Sequence, residues 1–516
     1  MRLSQHWQAT AFASAAIVGL ALTMSGVPAS AAVGAHVRRA GAPVPSTLVI
    51  DQSGAPATLD PGLQWDTESY EVYRNIFDQL LARNPKTNAI EPDVATKWKS
   101  VTPTEWQFTI RSGIKFTNGE PLTAADVSFS LNRIINPALK SAQAANFEDV
   151  TGATASGNVV TIKTKVPDPL LLSYLHILSI VPMKYVQAHG NTYFNLHPIG
   201  SGPYELQQWI QGSKVVLTRN AHYWGKKGIF QTVVFRNVPD PATELADLQS
   251  GTADLVTGLT PDQVASVKSN PSLKVLPAPS EFVQLLMFND YEAPTNNVNF
   301  RKAVSDAINV PLLIKTVLDG FGAPVKETLV PGVFGYNPSE PGYHYNPKQA
   351  KALLKAAHYH GQPVIILTAP FFSTTLLQAI QSELVAVGIN AKIQSYAGPT
   401  YLSLWQNPKH NWGNLNVTDW SCSCEDASGL LTPLYTTGSI WSAFNDPTLT
   451  KIIDAAQSTT NVAARTKDIN AALARIQAEM AGMGLWQQYL VYGENAHLQW
   501  TPDLPQDMFV NTMSWK

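Results

Sequence analysis

The chain has 516 residues, 36 Lys and Arg against 38 Asp and Glu, and a formal net charge of -2, with only 14% of its residues charged. Such a length exceeds what one compact core ordinarily organises and implies two or more structural bodies. The near-neutral balance advertises no basic surface for nucleic acid and no acidic tail, and so sparse a charge is consistent with life in an acidic habitat.

Residues 1–31 read as an export signal: Arg2 supplies the positive start, Ala11 to Val27 is apolar, and Ala29-Ser30-Ala31 forms a small-residue cleavage site. The apolar run is marginal for spanning about 30 Å of hydrocarbon, which favours cleavage over a retained anchor. No Cys follows the run, so a lipid anchor is not expected. The mature protein is expected outside the cytoplasm, periplasmic, extracellular or associated with the cell envelope. Residues 32–46, rich in Ala, Gly and Pro without periodicity, read as a flexible leader.

Leu48 to Ile50 is expected as a strand, and Val72, Tyr73, Ile76, Phe77, Leu80 and Leu81 recur at the spacing of a helix ending before Pro85. Trp106, Phe108 and Ile110 alternate with polar residues as in a half-buried strand, and Ile114 and Phe116 resume the alternation. Asn118-Gly119 turns the chain. Thr123 then N-caps a helix, Asp126 answers it from the third helical position, and Leu122 and Val127 stand at the staple positions. Further on come a strand at Val159 to Lys163, a helix through Leu170 to Ile180, strands at Tyr204 to Gln208, Lys214 to Arg219 and Thr232 to Val238, a helix after Asp240-Pro241 that stops at Gly251, and a strand at Asp254 to Val256. Phe282 to Asn289 is an apolar strand. Lys348 to Ala357, Val364 to Thr368, Thr374 to Val387 and Ile389 to Ser395 read helix, strand, helix, strand, a unit that favours parallel pairing. Helices around Leu449 to Ala456 and Ala464 to Met480 lead to a strand at Leu485 to Tyr492.

Motifs of catalysis are absent: no His-Glu-x-x-His helix and no Walker loop, and Gly200-Ser201-Gly202 lacks the spacing of a nucleophile elbow and reads as a backbone-determined turn. Carboxylate pairs for glycoside hydrolysis leave no sequence signature, so a secreted hydrolase of peptides or glycosides remains the alternative. The two cysteines, Cys422 and Cys424, stand one residue apart, and three readings stay open: a short-loop disulfide, free thiols, or a soft-metal site with His410.

Residues 110–134, IRSGIKFTNGEPLTAADVSFSLNRI, resemble the signature region of the extracellular solute-binding proteins of family 5, the oligopeptide, dipeptide and nickel receptors of ABC importers. Ala57 to Pro61, Pro92 to Trp98, Pro198 to Tyr204, Arg219 to Trp224, Leu248 to Asp254 and Phe300 to Ile308 resemble successive blocks of that family in its order, with Ser201 where threonine is usual. The resemblance covers nearly everything after residue 47. It implies an α/β, two-lobe periplasmic-binding-protein-like fold (type II, Venus-flytrap) with an additional inserted subdomain in the first lobe. Lobe I would comprise 47–84, 199–281 and 487–516, the inserted subdomain 85–198, and lobe II 282–486. It also implies a monomeric receptor without cofactor that binds a short peptide or peptide-like solute between the lobes and hands it to an ABC permease in the membrane, or, in a second branch, a nickel or metal-chelate receptor.

In peptide-binding members a strand ends in tryptophan, followed by an aspartate that receives the ligand's amino terminus and then by an aspartate-proline pair. Trp420 matches the tryptophan and Asp426 the later aspartate, while Ser423 falls at the amine-binding position and Ala427 replaces the proline. A serine supplies much less to a desolvated ammonium than a carboxylate. Either Glu425 or Asp426 takes over, or the ligand lacks a free α-ammonium, or the alignment is offset by a residue or two. Position in the resembled fold adds Trp65, Tyr70, Phe371, Phe372 and Trp405 as candidate cleft aromatics.

Overall fold

The computed structural model describes residues 43–63, 66–422, 424–504 and 507–516. The expected signal and most of the leader, and the candidates Trp65 and Ser423, lie outside the described residues.

One mixed sheet of eleven strands runs through both lobes. At its centre lie two long antiparallel strands, Leu273–Phe288 and Gly482–Asn495, which cross from one lobe to the other. On one side Leu415–Trp420, Val364–Thr368 and Ala391–Ser395 extend the sheet into the second lobe; on the other, Leu255–Val256, Thr47–Gln52, Thr232–Asn237, Lys214–Arg219 and Tyr204–Ile210 extend it into the first. The strand-helix-strand reading holds in detail, with Val364 opposite Ala391 in a parallel pair and helix Thr374–Ala386 between them. Along the first crossing strand Leu286 and Phe288 face one core cluster while Val283, Leu285 and Met287 face another. Both sheet faces are covered there, which explains the continuous apolar run.

A second sheet of four strands, Ala95–Thr102, Glu105–Ile110, Val159–Thr164 and Val150–Ser156, packs with helix Ala124–Ile135 around its own core. The helix begins as its sequence indicates: the amide and hydroxyl of Thr123 donate to Asp126 Oδ2 at 2.8 and 2.7 Å, and Leu122 and Val127 are buried. Ile114 to Phe116 differs from expectation, forming a single bridge at Lys115 and Pro121 rather than a strand.

Two expected helices are shorter than their apolar spacing suggests. The first covers only Thr67–Tyr73. Beyond it Ile76 and Phe77 enter the first-lobe core while Leu80 and Leu81 enter the core of the four-stranded sheet, so the apolar spacing records a chain threading between two cores. Asn75 fixes that exit, donating to Glu71 O and Met508 O and accepting from the Val510 amide. Gly200 approaches the same segment so closely that a Cβ would stand 1.9 Å from Ile76 O, so the expected turn is also a site of backbone contact. The second, Leu171–Leu175, ends at His176, after which Leu178 and Ile180 reach the same core from extended chain. Among the described residues no helix is long and apolar enough to cross a membrane.

Candidate functional site

The two crossing strands do not pair evenly. Pro279 stands opposite Tyr489 and Val283 opposite Gln487, so Ser280, Glu281 and Phe282 together face Gln488. Ser280 stitches this bulge: its hydroxyl donates to Gln488 O at 2.7 Å and accepts from the Phe282 amide at 3.2 Å, while Gln487 Nε2 donates to its carbonyl at 2.8 Å. A bulge inside a ladder turns its central side chain out of the alternation. Glu281 thereby lines a small cavity with Trp420, Ser421, Cys422 and Asp426 at the junction of the lobes.

The loop after Leu415–Trp420 supplies the second-lobe side of that junction. Cys422 and Cys424 are joined as a disulfide, the first of the three sequence readings, and in that form they offer no thiolates for metal binding with His410. His410 instead stacks on Tyr291 at 4.1 Å between centroids. Glu425 follows with φ of 48°, a left-handed backbone that a residue with a side chain adopts at a cost unless its surroundings impose it. Here its amide donates to Cys422 O and its carbonyl accepts from Phe334. Its side chain is directed at Arg83, whose Nε stands 3.3 Å from Glu425 Oε1 and whose Nη2 donates to Cys424 O at 3.3 Å. Asn88 Nδ2 donates to Gly332 O at 2.7 Å and Tyr174 Oη lies 3.8 Å from Cys422 Sγ, so the second-lobe loops rest on the segment that carries the four-stranded sheet.

A cavity of about 420 Å³ opens beside this contact, and another of about 280 Å³ lies near the bulged strand. The larger lies between Asn88, Trp106 and Leu172 on one wall and Phe334, Glu425 and Arg465 on the other. The smaller lies between Gln52 and Glu71 on the first lobe and Asp419 and Phe282. A third cavity, about 590 Å³, is larger still, but its walls come only from residues 74–93, 203–223 and 499–516 and none from the second lobe.

Charge is concentrated here. Burial raises the Glu281 and Glu425 carboxyls to about 8, with Arg83 opposing the rise in both. Burial likewise raises Glu71 to about 8 against the opposing hydrogen bond from Gln52, and raises Asp507 against its ion pair with Arg74. None of Arg74, Arg83, Glu71, Glu281 or Asp507 was singled out in the sequence. The only signal for Glu281 was an acid at the edge of an apolar strand after Pro277-Ala278-Pro279, and it does not reveal the bulge.

The sequence candidates divide. Trp420 is half-buried beside Glu281, its Nε1 donating to Gly429 O at 2.9 Å. Asp426 is 3% exposed and held bidentately by Arg465 at 2.5 and 2.6 Å, with the Ser428 amide donating to Oδ1. Tyr70 is half-buried against the first-lobe core, within electrostatic reach of Asp507 and Glu281. Trp405, 4% exposed, packs edge-on to Trp420 and Trp441 inside the second-lobe core. Phe371, 64% exposed, and the half-buried Phe372 pack on each other and on Tyr401, and neither lines the cavities described above.

Comparison with known proteins places this architecture. The profile of the bacterial extracellular solute-binding proteins, family 5 (middle), matches residues 89–442, more than half of the chain. The dipeptide-binding protein of Escherichia coli (strain K12) is 28% identical over 402 residues, covering 70% of this chain and 74% of that one. Among solved structures, the periplasmic binding protein DppA of Helicobacter pylori in complex with the peptide STSA superposes with a TM-score of 0.72 at 24% identity, covering 91% of this chain and 98% of that one. NikZ of Campylobacter jejuni in complex with Ni(L-His) gives 0.73 at 20% identity, covering 91% and 100%. The two-lobe α/β fold is thus shared, and the chain belongs to the bacterial extracellular solute-binding proteins of family 5.

Proposed function

We propose that this receptor captures a short peptide or peptide-like solute between its lobes and delivers it, chemically unchanged, to a membrane permease of an ABC importer. The observation that carries the reading is the junction itself: in a chain of this family, buried polar groups from both lobes meet around the bulged crossing strand. Relatives are described as binding dipeptides or as complexed with a peptide, which supports a peptide-sized guest. We take the lobes as 47–84 with 199–281 and 487–516, and 282–486, with 85–198 inserted in the first, so that the crossing strands are the hinge. A solute touching both walls binds more tightly when the lobes are together, and that difference shifts the hinge equilibrium toward closure. Residues 1–31 direct export, the carrier is monomeric, and Trp420 and Tyr70 shape the cleft beside the ligand.

Thermal unfolding of the mature chain against a library of di- to pentapeptides tests this. A true ligand at a hundred times its Kd stabilises by about 2.7 kcal/mol and raises Tm accordingly. Hydrolysis of library members without any stoichiometric binding would overturn the reading.

A further inference from the structure

We propose that the interlobe cavity of about 280 Å³ is the subsite for a protonated amine of the solute, with Asp419 of the second lobe receiving its charge and Gln52 Oε1 of the first lobe accepting from the same end of the molecule. The inference rests on the receptor reading above and assigns the chemistry of one end of its ligand.

The two acids that the sequence offers after Trp420 are already committed. Asp426 is held by Arg465 inside the second lobe, and Glu425 is paired with Arg83. Asp419 is not. Successive residues of a strand point to opposite faces of the sheet. Trp420 takes the face of Glu281, and Asp419 takes the other, where it lines the cavity with Phe282 of the bulge and Gln488 opposite it. Among the described residues no cation stands against its carboxylate, and only its own amide opposes the rise that burial imposes on it.

The first-lobe wall adds an independent reason. Gln52 ends the strand Thr47–Gln52, and Thr257 follows its parallel neighbour Leu255–Val256, so the cavity lies at the carboxyl ends of those strands, the edge where open α/β sheets place ligands. Gln52 is 1% exposed. Its Nε2 donates to Glu71 Oε2 at 2.6 Å and to Glu68 O at 3.4 Å, two acceptors that fix which way the amide faces. Oε1 is thereby left buried with no donor, and a buried acceptor in that condition is costly until a donor reaches it.

What the cavity lacks decides what it takes. Its titratable lining residues are Glu68, Glu71, Asp419 and Tyr492, and among the described residues no Lys, Arg or His joins them. A ligand carboxylate would meet acids and an unpartnered acceptor, so that end of a peptide is turned away. A neutral N–H would answer Gln52 and leave the charge of Asp419 unanswered. An ammonium brings both a positive charge and several donors. Glu71, raised to about 8 by burial against its bond from Gln52, holds a proton near pH 7 and adds no second charge. A bare metal ion does not fit, since among the described residues no three His, Cys, Asp or Glu side chains converge to hold one. The volume suits one end of a solute, because pockets that enclose a whole small molecule run from about 300 to 1,000 Å³.

A library of di- to pentapeptides without Lys, Arg or His, each member supplied with a free and with an acetylated amino terminus, tests the proposal. Thermal unfolding of the mature chain selects the members that bind, and calorimetric titration measures each selected pair. The free form is expected to bind at least about tenfold more tightly than its acetylated partner. In Asp419→Asn that ratio falls toward one. Because no cation answers the Asp419 carboxylate in the unliganded chain, this variant should unfold at or above the Tm of the parent, so that lost preference is not lost folding. A variant that unfolds well below the parent would show that the carboxylate serves the fold, and would overturn the assignment. Acetylated members that bind as tightly as free ones, or an unchanged ratio in Asp419→Asn, overturn the subsite and leave the receptor reading standing. Failure of every member in both forms to bind overturns both.

Discussion

Asp426 spends its charge inside the second lobe. Its two oxygens are gripped by Arg465, which also reaches Ser428 Oγ and Ala456 O and lies 5.0 Å over the Phe334 ring. Removing the carboxylate leaves a guanidinium buried without its counter-charge, a change that typically costs about 3–5 kcal/mol. Asp426→Ala should therefore lower the free energy of unfolding by an amount in that range, read as a lower urea midpoint with an unchanged slope. A variant as stable as the parent would show that the pair carries no such weight. Trp420 and Asp426 were singled out in the sequence because both lie in one short stretch with a recognisable order. Glu281 was not, because its orientation depends on how many residues oppose Gln488, a partner 208 residues from the Ser280 that stitches the bulge.

At the scale of elements, strands and capped helices were read well wherever alternation or a cap fixed them locally. Val364–Thr368 and Lys214–Arg219 end where the pattern ends, and helix Pro241–Ser250 stops at Gly251 with φ of 76°. Failure came where apolar residues were shared between two cores, as after Tyr73, since periodicity counts buried residues without saying what buries them. Asn75 is what terminates that helix and ties it to the C-terminal segment, through Met508 O at 2.8 Å and the Val510 amide at 2.9 Å. Asn75→Ala strands those buried backbone groups, at about 1–3 kcal/mol for each group left unpaired. Amide hydrogen exchange should locate the damage, with protection lost first at Val510 and its neighbours, ahead of the crossing strands. Uniform loss across the whole sheet would show that Asn75 does not anchor that segment in particular.

For the molecule as a whole, the buried acids give stability an unusual dependence on pH. Glu71, Glu281 and Glu425 each titrate near 8 in the folded chain because burial disfavours their charged forms, whereas an unfolded glutamate titrates near 4.5. Between those values the folded state holds more protons than the unfolded one, so stability falls as pH rises. The contribution is fully present below about pH 4.5 and is lost through about pH 8, the reverse of what ion-paired carboxylates with depressed values give. Raising the pH of the unliganded protein from about 5 to about 8 should lower Tm by several degrees in a scan at constant ionic strength. A Tm that climbs from pH 5 to 8 would show that these carboxyls are ionised and answered by counter-charges in the folded chain.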